Sequence, residues 1–343
     1  MAAKTNPGRF FEDYRVGDTI PHAIPRTVGD GERALYHALY PARHALHSAD
    51  SFAQACGLSA SPLDDLIAFH TVFGKSVPDI SLNAVANLGY AEGRFHRPVM
   101  PGDTLSASSE VIGVKQNSNG RTGVVWVHTT GRNQREEIVL DFKRWVMLRK
   151  RDADSPAPET VVPDLAEAVA ADALTVPEGL TFADYDFTVA GEPHRLSDYT
   201  VGEIIDHVDG VTIEEAEHML ATRLWQNTAK VHFDATHRED GKRLIYGGHV
   251  ISLARALSFN GLANAQLIAA INGGAHANPC FAGDTVRAWS EVLDVAQTAH
   301  PGIGALRLRL VATRGAAGEL RGEDGKYLPE VLLDLDCWAL MPS

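Results

Sequence analysis

A short stretch in the C-terminal half combines residue types that suit proton transfer beside a developing negative charge. Asn227 and His232 lie five positions apart, and Gly247-Gly248-His249 follows after a short gap. Histidine titrates nearest to neutral pH and is the most frequent general base. A glycine at the start of a helix offers a free backbone N–H, and the positive end of the helix dipole, to an oxyanion. These residues indicate acid–base chemistry at a helix start.

Each of these residues also has a purely structural explanation. His232 could be a hydrogen-bonded histidine beside a helix, and Gly248 could serve only close packing. We favour function for His232 because Asn227 and Gly248 accompany it. The equivalent position in the N-terminal half, His47, has Ala42 in place of the amide. We therefore interpret the N-terminal copy as catalytically degenerate.

That equivalence comes from an internal repeat, which spans most of the chain. Thr27 and His47 recur 185 positions later as Thr212 and His232. Further matching segments follow at an offset of 181 and then of 193, namely Pro98–Thr104 with Pro279–Thr285 and Val139–Trp145 with Leu332–Trp338. Ordered matches along both halves predict a duplicated domain. The change in offset predicts a longer hairpin in the second half, through Gly315–Gly325.

The order of elements within each half predicts an α+β fold. In the second half, Thr212 and Glu215 suggest a capping box and a helix to about Trp225, and a second helix runs from Gly247-Gly248 to Asn260-Gly261. The first-half counterpart of that second helix is expected from Ser61-Pro62 to Gly74. Alternating apolar residues, such as those from Leu306 to Leu310, predict strands late in each half.

The repeat also predicts the domain limits. We expect an N-terminal domain over residues 1–150, a connector over 151–180 and a C-terminal domain over 181–343. The connector is rich in Pro, Ala and acidic residues, which is typical of a solvated segment, with a helix expected at Leu165–Leu174.

Composition restricts the function further. The chain has 343 residues, with 44 Asp and Glu against 31 Lys and Arg and a formal net charge of −13. This balance disfavours nucleic acid and anionic lipid as partners and favours a small-molecule ligand. The three Cys residues lack a paired motif, and the His pairs lack acidic partners at a recognised spacing, so we expect no disulfide framework and no metal. No signal peptide or membrane segment is evident, so we expect a cytoplasmic protein.

Several segments resemble a known family. Asn227, His232 and the helix-opening Gly248 are similar to the first signature of the MaoC-like, or type 2 enoyl-CoA hydratase, family, and so are the Gly-Asp-Thr turns at Gly102 and Gly283. Over most of the chain the segments Phe10–Asp13, Ala38–Arg43, Ser81–Tyr90 and Val331–Met341 resemble, within that family, the mesaconyl-CoA hydratases, also called β-methylmalyl-CoA dehydratases.

The resemblance implies both fold and reaction. The fold is a double hot-dog, in which each domain is a long helix wrapped by a curved antiparallel sheet. The reaction is reversible hydration of mesaconyl-C1-CoA (2-methylfumaryl-CoA) to (2R,3S)-β-methylmalyl-CoA, in the ethylmalonyl-CoA route or a related cycle. Coenzyme A arrives as part of the substrate, so no separate cofactor is expected. The double fold already contains the usual domain pair, so a monomer is sufficient, although we expect a homodimer.

The resemblance also assigns roles and exposes a departure. His232 becomes the base and Gly248 the oxyanion site, but the family has an acid where this chain has Asn227. An amide can orient water and cannot take its proton. Three possibilities follow: His232 is the only base, which we prefer, with Asn227 as orienter; another carboxylate such as Asp234 or Asp50 substitutes; or the substrate's free carboxylate assists.

That free carboxylate should be held by Arg or Lys, because a planar guanidinium pairs well with it. Arg43, Arg94 and Lys75 are the candidates, each of which could instead be a surface residue or contact the CoA phosphates. Two other functions compete with hydration. His249 beside Gly248 also suits a hot-dog acyl-CoA thioesterase, and a non-catalytic acyl-CoA binder would merely retain the cleft.

Overall fold

A computed structural model describes residues 4–343. These residues form one ten-stranded antiparallel sheet and eight α-helices. The strands are β1 Thr19–Thr27, β2 Ala84–Phe95, β3 Thr104–Gln116, β4 Thr122–Arg132, β5 Ile138–Arg149, β6 Ile204–Thr212, β7 Leu267–His276, β8 Thr285–Gln297, β9 Ile303–Thr313 and β10 Val331–Pro342. The helices are α1 Asp30–Leu39, α2 Ala45–Ser48, α3 Asp50–Ala55, α4 Asp65–Ser76, α5 Phe187–Ala190, α6 Glu215–Leu224, α7 Gly247–Leu257 and α8 Phe259–Leu262.

The sheet shows the duplication directly. Its strand order is β1-β3-β4-β5-β2-β7-β10-β9-β8-β6, so the same order occurs in both halves, and β2 pairs with β7 where they meet. The repeated threonines occupy matching positions, because the hydroxyls of Thr27 and Thr104 lie 2.8 Å apart and those of Thr212 and Thr285 also lie 2.8 Å apart. The predicted α+β double hot-dog is confirmed.

The helices α4 and α7 are the central helices of the two halves. Residues 66–76 of α4 and 248–257 of α7 are buried, and both helices belong to one core that continues across the two halves. His70 of α4 and Ser252 of α7 are hydrogen-bonded at 2.7 Å. A helix that is apolar on nearly all sides must be covered on all sides, and the sheet provides that cover.

The predicted limits of the two central helices need correction. α4 begins at Asp65 rather than at Ser61-Pro62. The Leu63 N–H donates to the Val99 carbonyl and so lies outside the helix. The Asp64 side chain caps the helix by accepting from the Leu66 N–H. α4 also continues past Gly74 to Ser76. A Cβ on Gly74 would collide with the backbone of Trp225, so this glycine serves close approach and does not end the helix.

Other local predictions were also inexact. α7 ends at Leu257, and the Asn260-Gly261 pair interrupts the short α8, with Gly261 at a φ of 98°. The capping box of α6 uses Glu214 and Glu217, since the Glu214 N–H donates to the Glu217 carboxylate at 3.3 Å.

The predicted longer hairpin is present, because residues 314–330 connect β9 to β10 whereas residues 133–137 connect β4 to β5.

The segment between the halves is neither helical over 165–174 nor fully solvated. Its only helical element is a 3-10 turn at Ala171–Ala173, and Val161 forms an isolated β-bridge with Val114. Val169, Val176 and Leu180 are buried against the sheet and α3, and the Trp338 indole donates to the Val169 carbonyl at 2.9 Å. Burial of these apolar side chains in an extended chain outweighs the helix preference of the alanines.

Among residues 4–343, no helix combines the length and the apolar character that a membrane crossing requires.

Candidate functional site

A cavity of about 290 Å³ lies where the start of α7 faces the end of α4 and the first residues of β2 in the N-terminal half. We call it the main cavity. Residues from both halves line it, and its lining includes Asn227, His232, Tyr246 and Gly247 from the C-terminal half. No Asp or Glu is found among the described residues that line it. The other polar residues of its wall are Ser81, Asn87, Tyr90, Arg144, His276, Asn278 and Cys280.

His232 is held in the tautomer that a base requires. It ends a 3-10 turn, Lys230–His232, and its Nδ1 lies 2.9 Å from the Leu244 carbonyl oxygen. A carbonyl only accepts, so Nδ1 carries the hydrogen and Nε2 keeps its lone pair in the neutral ring. Burial lowers the pKa of His232 to about 4, although the bond to Leu244 acts in the opposite direction. The imidazole is therefore neutral at pH 7 and able to accept a proton.

Asn227 lies at the cavity wall between α6 and the turn that carries His232. Its side chain is 4% exposed. The amide oxygen accepts from the Ala229 N–H at 3.1 Å, which fixes the orientation of the side chain. The amide nitrogen then remains as a donor at the wall, so Asn227 can hold a water or a substrate oxygen without taking a proton.

The start of α7 brings Gly247 to the wall of the cavity, whereas Gly248, the next residue of the helix, is not part of the lining. Tyr246 is the N-cap, and Gly247 and Gly248 occupy the first turn, where helix geometry gives backbone N–H groups no intrahelical acceptor. A Cβ on Gly247 would collide with the His276 ring, and one on Gly248 would collide with the Tyr246 ring. Both positions require glycine because an aromatic ring lies against the backbone at each of them. The free N–H groups of the first turn therefore lie next to the rings of Tyr246 and His276.

The N-terminal half supplies the opposite wall. Tyr90 on β2 is paired directly with Arg144 on β5, and the Tyr90 hydroxyl lies 3.1 Å from His276 Nε2. Burial, with the neighbouring His232, lowers the pKa of His276 to about 4. Burial also lowers the pKa of Arg144 to about 10, which leaves the guanidinium charged at neutral pH. The cavity thus combines neutral imidazoles with one cation.

The remaining predicted ligand-binding residues are placed outside the wall of the main cavity. Arg43 is exposed and stacks on the Phe259 ring at 4.5 Å. Arg94 is exposed on β2. Lys75 is buried and donates to the Ile24 carbonyl, and burial lowers its pKa to about 8.

His249 follows Gly248 but belongs to the core. Its side chain is fully buried, and its Nδ1 lies 3.2 Å from the Tyr40 hydroxyl. Burial lowers its pKa to about 3. The structure therefore brings His232 and Asn227 together in the wall of the main cavity, with Gly247 rather than the predicted Gly248 as the lining residue of α7. Arg43, Arg94, Lys75 and His249 lie outside that wall.

Several polar residues of the wall were missed from sequence, among them Asn87, Tyr90, Arg144 and His276. One signal was available for Arg144. Along β5, Phe142, Val146 and Leu148 alternate as buried residues, and Arg144 falls on the same face. A charged residue on the apolar face of a strand indicates a partner or a ligand for that charge, because Arg is rarely fully buried unless paired.

Comparisons with known proteins agree along the whole chain. A family model described as Mesaconyl-CoA hydratase matches residues 1–316. A protein of Cereibacter sphaeroides named mesaconyl-CoA hydratase is 74% identical over 341 residues, covering 99% of both chains. A β-methylmalyl-CoA dehydratase of Chloroflexus aurantiacus is 60% identical over 351 residues, covering 100% of this chain and 99% of its own. A crystal structure of a MaoC domain protein dehydratase from Chloroflexus aurantiacus superimposes with a TM-score of 0.97 at 58% identity, covering 99% of both chains.

Proposed function

The chain belongs to the mesaconyl-CoA hydratase family, and on that basis we propose that it is a hydro-lyase that adds water reversibly to mesaconyl-C1-CoA. The product is (2R,3S)-β-methylmalyl-CoA. The observation that carries the proposal is a neutral His232 beside the start of α7, in a cavity whose described lining has no carboxylate.

His232 acts as the base for water. Water attacks C3 of the substrate, one of its protons moves to His232 Nε2, and the π electrons move onto the thioester oxygen as an enolate. The imidazolium then returns the proton to C2, so atoms and charge balance. The bond from Nδ1 to the Leu244 carbonyl supports this role, because it keeps the ring fixed in both protonation states.

The enolate oxygen needs donors that are already in place. The first-turn N–H groups of Gly247 and Gly248 supply them, and the dipole of the 11-residue helix α7 adds a favourable field. The glycines suit this role because a side chain at either position would displace a neighbouring ring.

Asn227 orients the attacking water. Its amide is fixed by the Ala229 N–H, and an amide does not compete with His232 for the proton. The two carboxylates considered as alternative bases are engaged elsewhere. Asp234 accepts from the Thr236 N–H, and Asp50 accepts from the Ser61 N–H and hydroxyl. Neither lines the main cavity, which supports His232 as the single base.

Three further expectations belong to the same proposal. The reaction needs no cofactor, since acid–base groups and the CoA of the substrate are sufficient for hydration. The enzyme acts in the cytoplasm. It forms a homodimer, which light scattering on the purified protein would test.

A thioesterase is the second candidate, and the position of His249 argues against it. A thioesterase would need an activated water at the start of α7. His249 is fully buried and its Nδ1 contacts the Tyr40 hydroxyl, so it lies away from the cavity wall. Hydration with His232 as the base does not require His249 at the cavity.

Absorbance of the enoyl thioester tests the function. Purified protein is mixed with mesaconyl-C1-CoA, with crotonyl-CoA in parallel, and free thiol is measured in the same samples. We expect rapid loss of enoyl absorbance with mesaconyl-C1-CoA, slower loss or none with crotonyl-CoA, and no thiol. Release of thiol would favour a thioesterase, and no change in either signal would favour a binding protein.

A further inference from the structure

Arg144 is a buried cation without an acidic partner. Its side chain is fully buried on β5. Its Nη2 donates to the Ser76 hydroxyl at 2.8 Å and its Nη1 to the Ser81 hydroxyl at 3.5 Å, and its guanidinium lies 4.3 Å from the centre of the Phe73 ring. None of the salt bridges within residues 4–343 involves Arg144, and its Nε has no hydrogen-bond partner.

Folding alone does not account for this arrangement. A buried guanidinium offers five N–H donors, and a buried charge costs free energy unless a counter-charge and hydrogen bonds compensate. At the equivalent position of the second half, in register with Ile271 on β7, the chain has the buried Cys337. The fold therefore accepts a small uncharged side chain at this position. Because folding does not require a cation there, we expect Arg144 to pair with a bound anionic ligand.

Arg144 lines the main cavity together with Asn87 and Tyr90 of the adjacent strand β2. The amide nitrogen and the amide oxygen of Asn87 are both buried and have no hydrogen-bond partner in the described chain. Two polar side chains with unused hydrogen-bonding groups thus occur in one wall. The catalytic candidate His232 belongs to the C-terminal half of the same cavity.

We infer that Arg144, assisted by Asn87, is the subsite for the free carboxylate of an unsaturated dicarboxylic acyl thioester. The inference rests on the proposed function, because mesaconyl-C1-CoA carries such a carboxylate. A guanidinium pairs with a carboxylate through two parallel N–H bonds. Among the described Arg and Lys residues, Arg144 is the one that lines the cavity, whereas Arg43, Arg94 and Lys75 do not.

The subsite also bears on the reaction. The free carboxylate is bonded to C3, the carbon that receives water. Binding of that carboxylate by Arg144 fixes C3, so the cation determines both substrate choice and the position of the attacked carbon. A thioester that ends in a methyl group would leave the guanidinium buried and unpaired, which disfavours its binding.

Binding of two saturated analogues tests the subsite independently of catalysis. Succinyl-CoA ends in a carboxylate, and butyryl-CoA has the same chain length and ends in a methyl group. Dissociation constants are measured for the wild type, for Arg144→Met and for the control Arg149→Met, which removes an exposed arginine from the same strand. We expect the wild type and the control to prefer succinyl-CoA by at least about 30-fold, and Arg144→Met to lose that preference.

Butyryl-CoA binding by Arg144→Met, with a thermal melt, shows whether the variant is folded. If it is not folded, Arg144→Lys replaces it. Lysine keeps the charge and loses the bidentate geometry, so the preference should fall at least about threefold. An unchanged preference in a folded Arg144 variant would overturn the inference.

The kinetic assay distinguishes failure of the subsite from failure of the proposed function. Mesaconyl-C1-CoA is compared with tiglyl-CoA, in which a methyl group replaces the free carboxylate. We expect Arg144→Met to lower kcat/KM for mesaconyl-C1-CoA at least about 30-fold and to spare any activity on tiglyl-CoA. Equal losses on both substrates would overturn the subsite alone. A wild type that prefers succinyl-CoA but does not hydrate mesaconyl-C1-CoA would overturn the function and leave the subsite.

Discussion

The two halves of the chain present equivalent positions at the starts of their central helices, and the empty volume beside these two positions differs. The main cavity beside α7 has a volume of about 290 Å³, whereas the pocket beside α4 has about 20 Å³. We call the latter the counterpart pocket; it is lined by Asp65, Phe95, His96, Arg97, Pro98, Thr175, Pro177, Leu267, Ile268, Ala269 and Leu340. Its wall includes Thr175 and Pro177 of the connector, so a segment outside the repeat forms part of this pocket.

The repeated histidines differ in their partners. In the N-terminal half, His47 Nδ1 lies 3.4 Å from the Pro62 carbonyl, and its Nε2 lies 3.5 Å from the Asp65 carboxylate. Burial alone would lower the pKa of His47, but the hydrogen bond and charge of Asp65 outweigh it and the pKa is raised. His232 has a carbonyl at one nitrogen only, and its pKa is lowered to about 4. The surroundings of His47 therefore favour its charged form, and those of His232 favour its neutral form.

The helix starts differ in the same direction. α4 begins with Asp65, whose carboxylate accepts from the Ile268 N–H at 2.7 Å. α7 begins with Gly247, where no side chain is present. A carboxylate at the helix start would repel an enolate, so this position in the N-terminal half stabilises the fold instead. The fold supplies a helix start and a histidine twice, but only at the start of α7 do they occur with a large cavity, a neutral imidazole and no carboxylate at the helix start.

The largest difference between the two halves is expected when each histidine is replaced in turn. We expect His232→Gln to lower kcat for mesaconyl-C1-CoA by about 10²- to 10⁴-fold, the usual contribution of a general base. His47→Gln should leave kcat unchanged when assayed well below its melting temperature, because His47 contributes to stability only. Comparable losses of kcat in two folded variants would mean that both halves contribute a catalytic base.

A smaller effect is expected from Asn227→Asp. A carboxylate in the cavity would repel the free carboxylate of the substrate and raise the pKa of His232, so KM should rise by about tenfold or more. The matched variant Asn227→Ala removes the amide without adding charge and should have the smaller effect on KM. Steady-state kinetics on both variants checks this, and a gain of activity in Asn227→Asp would contradict the idea that the amide suits an acidic substrate.

The smallest effect is expected from pH. A base must be neutral, so activity falls as pH drops through the pKa of His232, which burial lowers to about 4. Between pH 7 and pH 5.5, kcat/KM should therefore change by less than about twofold. A histidine with an ordinary pKa near 6.5 would lose about eightfold over the same interval. A fall of that size would show that the imidazole is not held in the neutral state described for His232.

The sequence predicted those features that depend on local order. Matches such as Thr27 with Thr212 and His47 with His232 follow from the repeat, and His232 with Gly248 could be selected because both belong to one short segment. The connector helix was wrong because alanine content favours a helix, whereas Val169 and Val176 are buried in an extended chain. Only tertiary packing decides between the two.

The missed residues depend on long-range pairing. Arg144 and Tyr90 reach the main cavity because β2 pairs with β7 where the two halves meet. No local pattern reports that pairing, so a cation from the first half could not be assigned to the site of the second. The alternation along β5 indicated that Arg144 is buried, but the ligand that would require it becomes evident only once the cavity is known.

We expect each chain to have one acyl-CoA site, formed at the start of α7 and absent at the start of α4. Isothermal titration of the wild-type protein with succinyl-CoA measures this directly. We expect one equivalent bound per chain, because the main cavity has a volume of about 290 Å³ and the counterpart pocket only about 20 Å³. A stoichiometry of two per chain would contradict it, because the counterpart pocket would then bind the ligand as well.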